Sequence, residues 1–118
     1  MTYLFGMASS FDQPLVGWNT SHVAIMTGMF LDATTFNSPL GDWDISRVTT
    51  MESLFDGASN FNQPNGSWDT GNVKTTAFMF FNAVSFNQDI SSWSTSSLQD
   101  TRSIFMAAAQ FNQNLSSW

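Results

Sequence analysis

The sequence predicts an α/β repeat fold, a solenoid of 25-residue units that each contain one helix and a short extended segment. Three aromatic columns step by 25 residues along the chain, an apolar stripe at helical spacing recurs in each unit, and a Pro-containing stretch follows the stripe. A unit of this size is too small to close a core alone. Its apolar face must therefore be covered by the next unit.

The columns consist of residues that return at the same place in every unit. Phe5, Phe11 and Trp18 each begin a series that continues every 25 residues without a slip. Like residues at one position of a stack lie on their copies, and paired rings contribute about 0.5–1.5 kcal/mol beyond the area that they bury. The columns that we expect to form the core are Phe30, Phe55, Phe80, Phe36, Phe61, Phe86, Trp43, Trp68 and Trp93.

The domain organisation follows from the same count. We expect a single array of about 4.7 repeats over residues 1–118. Both ends of the sequence fall inside a unit, which favours a window of a longer array. The predicted units are 1–21 (partial), 22–46, 47–71, 72–96 and 97–118 (partial).

The helix is predicted from apolar residues three or four positions apart. Val23, Met26, Met29 and Ala33 form one such stripe, and Ser21 stands two residues before it, where a hydroxyl can cap free N–H groups. The stripe returns in each later unit. We therefore expect helices at about 22–34, 47–59, 72–84 and 97–109.

The extended segment and its Asn column come next. Residues 36–43 carry a proline and a short apolar stretch, which is typical of a turn and a strand start. An Asn follows the second Phe of the full units. The favoured interpretation is a structural ladder of buried amides that bind turn backbone, and the alternative is a row of exposed amides for sugar or ion contact. The column is Asn37, Asn62 and Asn87.

The repeat resembles a known one. The run Phe-Asn-Gln-Asp-Ile-Ser-Ser-Trp at 86–93, together with Met-Phe at 29–30 and 79–80, is similar to the repeat of BspA-like bacterial surface proteins. That family, related to leucine-rich repeats, also occurs in mycoplasma lipoproteins and in proteins of marine microbes and their large viruses. The resemblance covers the whole chain. It implies a leucine-rich-repeat-like solenoid at the cell surface or outside the cell, and it supplies no catalytic residues.

The chain departs from this pattern at a few positions. Asn65 replaces a Leu or Ile, Gly71 replaces a Ser, and Thr76 and Thr101 stand in a Met column. We expect the stack to be loosest around residues 65–76.

Composition excludes several partner classes. The chain has 3 basic and 9 acidic residues and a formal charge of −6, so nucleic acid and anionic membranes are poor partners. It has no cysteine, hence no disulfide and no thiolate zinc site. No apolar run approaches the roughly 18 residues of a membrane span.

Candidate catalytic and metal-binding residues are few. His22 is the single histidine and its column continues as Arg47, Asn72 and Ser97, which indicates a solvent-facing position, so we expect no enzyme and no cofactor. Carboxylates near the Trp column could bind calcium, but two of them align with Asn19 and Ser94, which favours turn formation. These carboxylates are Asp12, Asp42, Asp44, Asp69 and Asp89.

Two further sets of residues point to surface contacts. Phe78 and Phe81 are three apart outside the repeated stripe, which predicts either local packing or a lateral contact patch. Sequons for N-glycosylation begin at Asn19, Asn65 and Asn114. A glycan at Asn65 would explain its departure from the Leu/Ile column.

These observations favour a non-catalytic structural or adhesive repeat segment of a cell-surface or extracellular protein, able to form a fibre or filament. Its expected partners are proteins or copies of itself. The alternative is a ligand-binding module that holds glycans or calcium on the face of the repeat array.

Overall fold

The units lie on top of one another and are joined by main-chain hydrogen bonds. The computed structural model describes all residues, 1–118. The N–H groups of Met26, Gly28 and Phe30 donate to carbonyls 24 residues later in the chain, each over 2.9 Å. The same bonds recur between the later units. Pairing of the β type is limited to isolated parallel bridges, which are Ile25 with Thr50, Thr50 with Thr75, and Thr75 with Asp100.

Within a unit the chain forms consecutive tight turns. The N–H of Leu31 donates to the carbonyl of Gly28, that of Ala33 to Phe30, and that of Phe36 to Ala33, over 3.0–3.1 Å. All 52 main-chain hydrogen bonds lie outside helices and strands, because the structure contains neither. No membrane-spanning helix is present. We call residues 26–36, 51–61, 76–86 and 101–111 the turn segments.

The prediction of an α/β solenoid with one helix per repeat is therefore wrong. The helices expected at 22–34, 47–59, 72–84 and 97–109 do not form, and the leucine-rich-repeat-like architecture is absent. Two positions in each turn segment have a positive φ, which a right-handed helix does not accommodate. These positions are Gly28, Ser53, Phe78 and Ser103, and then Asp32, Gly57, Asn82 and Ala107; the equivalent residues of the first unit, Tyr3 and Met7, also have a positive φ.

The turns explain why the sequence pattern resembles that of a helix. A four-residue turn brings residue i close to residue i+3, so apolar residues three apart share one side of a chain of turns. Met26 and Met29 follow this spacing, as do Phe30 and Ala33, and all four are fully buried. The φ of Ser53 is 53° at the third position of the turn 51–54, where type II turns require a positive value.

The predicted extended segment is also absent. Residues 36–43 form no strand, and the chain turns again where the N–H of Trp43 donates to the carbonyl of Leu40 over 3.1 Å. A further turn joins Ile45 and Val48 over 2.8 Å.

Gly57 occupies a positive-φ position of its turn segment, where the other units have residues with a side chain. Its φ is 71°, and a Cβ there would collide with the side-chain Oδ1 of Asp32 in the preceding unit. Gly17 differs, because its φ is 80° but a Cβ would meet nothing within 4 Å. Comparing substitutions at these two glycines therefore distinguishes backbone strain from steric crowding.

The core consists of stacked aromatic rings. Within a unit the rings of Phe30 and Phe36 are 4.0 Å apart and nearly parallel, at 10°. Between units Phe30 lies 5.5 Å from Phe55, and Trp68 lies 6.3 Å from Trp93. Burial of each large side chain contributes roughly 1.5–3 kcal/mol, so these columns account for much of the stability. The Phe and Trp core residues named from the sequence are all buried in the structure.

The molecule is compact, with extents of 35 × 33 × 20 Å.

Candidate functional site

A ladder of side-chain amides runs along one side of the stack. The Oδ1 of Asn37 accepts a hydrogen bond from the main-chain N–H of Asn62, and the Oδ1 of Asn62 accepts one from Asn87, each over 2.9 Å. The side chain of Asp12 occupies the first position, and Asn112 donates to Asn87 at the other end. Each amide thus satisfies a main-chain donor of the next unit. The Asn side-chain oxygens are used in internal contacts.

Glutamines reinforce the ladder in the later units. The Nε2 of Gln88 donates to the main-chain oxygen and the Oδ1 of Asn62, both over 3.0 Å. Gln113 makes the same pair of bonds to Asn87. These bonds fix the register between neighbouring units.

The Trp column adds a second set of hydrogen bonds. Beyond Trp18, the indole N–H of each Trp donates to a main-chain carbonyl 28 residues earlier, in the preceding unit. The ring therefore stacks through its face and forms a hydrogen bond at its edge. The pairs are Trp43 to Leu15 at 3.3 Å, Trp68 to Leu40 at 3.0 Å, Trp93 to Asn65 at 3.0 Å and Trp118 to Ile90 at 3.2 Å.

Asn65 breaks the apolar column that accompanies these bonds. Asn65 is only 1% exposed, and neither Nδ2 nor Oδ1 of its side chain has a hydrogen-bond partner. The hydroxyl of Thr76, another departure from the repeat, is also buried and unpaired. The region expected to be loosest, 65–76, thus contains buried polar atoms without partners.

The burial of Asn65 argues against a glycan there, because a folded chain does not expose that amide to modification. Asn19 and Asn114 are exposed. Their side-chain oxygens accept main-chain hydrogen bonds from Ser21 and Ser116, over 3.2 and 2.9 Å. N-glycosylation at Asn19 and Asn114 stays a prediction.

The acidic residues considered for calcium are spread over the surface, and three of them, Asp44, Asp69 and Asp89, close turns. The Oδ1 of Asp44 accepts bonds from the N–H and hydroxyl of Ser46, at 3.0 and 2.7 Å, which lowers the pKa of Asp44. Asp69 accepts the N–H of Gly71 in the same way at 3.0 Å. No group of three or more acidic or histidine residues is placed to hold a metal ion.

The remaining candidates lie apart from one another. Phe78 and Phe81 are half-buried and contact each other edge to face, with ring centroids 6.1 Å apart, because a turn joins them. His22 is exposed, and its Nδ1 lies 3.1 Å from the hydroxyl of Ser21. Its only hydrogen-bonding contact is this neighbouring hydroxyl.

The structure contains one cleft that was not predicted from the sequence. It has a volume of about 300 Å³ and its lining contains no apolar residue. The signal that could have found it is a change in the Pro column, where Pro14, Pro39 and Pro64 are followed by Asp89 and Asn114. We call it the serine cleft, lined by Asp89, Ser91, Gln113, Asn114, Ser116 and Ser117.

The serine cleft presents a carboxylate among hydroxyls and amides. The N–H of Ser91 donates to Oδ1 of Asp89 over 2.9 Å, and hydrogen bonding from Ser91 lowers the pKa of that carboxyl. The hydroxyl of Ser117 donates to the carbonyl of Ser91 over 2.8 Å, which ties the two walls together. Asp89 is therefore ionised at neutral pH.

Comparison with known proteins gives one family. A family model described as "Mycoplasma protein of unknown function, DUF285" matches residues 1–118. No curated protein and no solved structure matches the chain.

Proposed function

Since the chain belongs to the DUF285 family, we propose that it is a non-catalytic structural or adhesive repeat segment of a cell-surface or extracellular protein. The finer relation that we propose is to the BspA-like surface-protein repeats, on the strength of the motif at 86–93. The observation that carries the proposal is the use of the repeated side chains. The Phe columns, the indole N–H groups and the Asn ladder all join one unit to the next.

This use of side chains suits a structural role. A catalytic site places a nucleophile, a base and charge-stabilising groups around one reacting atom. Here the recurring residues are spread along the stack at 25-residue intervals and bind neighbouring copies of themselves. The side chains that vary from unit to unit remain for contacts with partners.

The location is tested by labelling intact cells. An antibody raised against this chain should stain intact cells that express the protein, and permeabilisation should add little signal. An antibody against a cytoplasmic protein of the same cells is the control. Staining confined to permeabilised cells would overturn the surface location.

A lateral contact is proposed at the phenylalanine pair Phe78 and Phe81. Met106 lies in the same column as Phe81 one unit later and is 57% exposed, so it extends the apolar surface. We propose that this surface contacts a second copy of the chain or another protein.

The chain itself offers a matched variant for this contact. Phe78→Ser together with Phe81→Asp installs the residues that an earlier unit has there, Ser53 and Asp56. We expect the variant to fold and to lose concentration-dependent association in sedimentation velocity. Unchanged association of a folded variant would refute the contact, as would a wild-type chain that stays monomeric at every concentration.

A further inference from the structure

The serine cleft differs from the same place in earlier units. In the preceding unit, Pro64 and Gly66 pack against the unit that contains Asp89. A Cβ on Gly66 would stand only 2.6 Å from the carbonyl oxygen of Asp89. That layer is closely packed. One unit later the equivalent residues are Asp89 and Ser91, and then Asn114 and Ser116, and a polar cleft lies between them.

We propose that the serine cleft binds a saccharide. Its lining combines hydrogen-bond acceptors on Asp89 and Gln113 with donors on Asn114 and on the hydroxyls of Ser91 and Ser116. A sugar presents vicinal hydroxyls, each of which donates and accepts, so it matches a mixed set of this kind. The inference rests on the proposed function, because it gives the adhesive part of that function a class of ligand.

Other ligand classes fit the lining less well. Calcium takes 6–8 oxygen ligands and usually several carboxylates, whereas the serine cleft contains one carboxylate, that of Asp89. An anion would meet that carboxylate and no basic side chain. An apolar ligand would find no apolar residue to pack against. The volume of about 300 Å³ stands at the lower limit of small-molecule sites, which suits one or two sugar rings.

The serine cleft can be removed with residues that the chain already uses. The main-chain N–H groups of Asp89 and Asn114 make no hydrogen bond, so proline is tolerated at both positions as it is at Pro64. Asp89→Pro together with Asn114→Pro takes away the carboxylate and an amide. Ser67→Ala changes a serine in an earlier unit, away from the cleft, and serves as the control.

The test is a titration of the isotope-labelled 118-residue chain followed by amide NMR. Glucose, galactose, mannose and N-acetylglucosamine are each added to about 50 mM, because a small solvent-open site binds with a dissociation constant on the order of 1 mM. We expect at least one sugar to cause saturable shifts confined to residues 89–92 and 113–117. The double proline variant should bind at least about tenfold more weakly, and Ser67→Ala should bind like the wild-type chain.

Three results would overturn the inference. They are no saturable shift with any of the four sugars, equal shifts in the double proline variant, and saturation of the same amides by calcium chloride alone. The amide spectrum of the double proline variant shows whether it is folded. If it is unfolded, Asp89→Asn is tested in its place, since it keeps the turn and removes the charge. Asp89→Asn must then weaken sugar binding for the inference to stand. Cell-surface staining is independent of all these outcomes, so failure of the saccharide site is distinguishable from failure of the proposed function.

Discussion

Replacing Asn65 with leucine should stabilise the protein. The side chain is 1% exposed, with both amide atoms unpaired, and its column has Leu40 and Ile90 in the neighbouring units. A buried amide without partners costs about 1–3 kcal/mol. A buried leucine contributes about 1.5–3 kcal/mol, reduced by any overpacking. The free energy of unfolding should therefore rise by about 2–4 kcal/mol.

The measurement is urea unfolding at neutral pH, with thermal unfolding in parallel. For a domain of this size about 1 kcal/mol corresponds to roughly 4 °C in Tm, so the midpoint should rise by about 10 °C. The main-chain carbonyl of residue 65 still accepts the bond from Trp93 after the substitution, because the change is confined to the side chain. Leu40→Asn, in the same column of the preceding unit, is the control and should lose stability by a similar amount.

A gain below about 0.5 kcal/mol would refute this reasoning, because surface substitutions without a structural effect fall in that range. It would mean that the amide has a partner in solution, such as an ordered water that bonds to both of its polar atoms. Loss of stability in both Asn65→Leu and Leu40→Asn would mean that the two units differ in the shape of this site.

Three further predictions concern other parts of the stack. Trp68→Ala should lower the free energy of unfolding in urea by about 3–5 kcal/mol, since a buried ring and its indole bond are removed, and a loss below about 1 kcal/mol would contradict its core position. Gly57→Ala should destabilise more than Gly17→Ala in the same assay. Each substitution adds about 1–2 kcal/mol of backbone strain, but only the first must also displace the exposed side chain of Asp32, so a larger loss in Gly17→Ala would be inconsistent with the crowding. Burial raises the pKa of Asp56 above its ordinary value of 3.8, and the nearby Asp32 adds to this. The folded state thus binds that proton more tightly than the unfolded state does. The contribution of Asp56 to the free energy of unfolding should therefore increase as the pH falls from 7 through the raised pKa, and Asp56→Asn should remove this increase. Parallel curves of stability against pH for the two proteins would argue against it.

The register of the stack can be predicted from the sequence, whereas the local backbone cannot. Identical residues 25 apart indicate which side chains are neighbours, and Phe30 does lie on Phe55. The three-residue steps from Met26 to Met29 and from Phe30 to Ala33, however, are shared by a helix and by consecutive turns, since both bring residue i close to i+3. Apolar spacing alone therefore did not distinguish the two.

A weaker signal for the turns was present in another column. Asp32, Gly57 and Asn82 recur at one position and are the residue types that adopt positive φ most readily. Phe78 and Ser53 occupy the other positive-φ position and give no such indication. There the contacts between units impose the conformation on residues that do not prefer it. The serine cleft was likewise indicated only by Asp89 and Asn114 in a Pro column.

The hydrogen bonds between units run in both directions along the stack. In the turn segments an earlier unit donates to a later one, as Phe30 does to Leu54, whereas Asn62 donates back to Asn37 and Trp68 to Leu40. The peptide dipoles of an α-helix all align and leave about half a charge at each end. Opposed dipoles in this stack offset one another in part, so each added unit contributes less to the electrostatic potential at the ends than a fully aligned set of dipoles would.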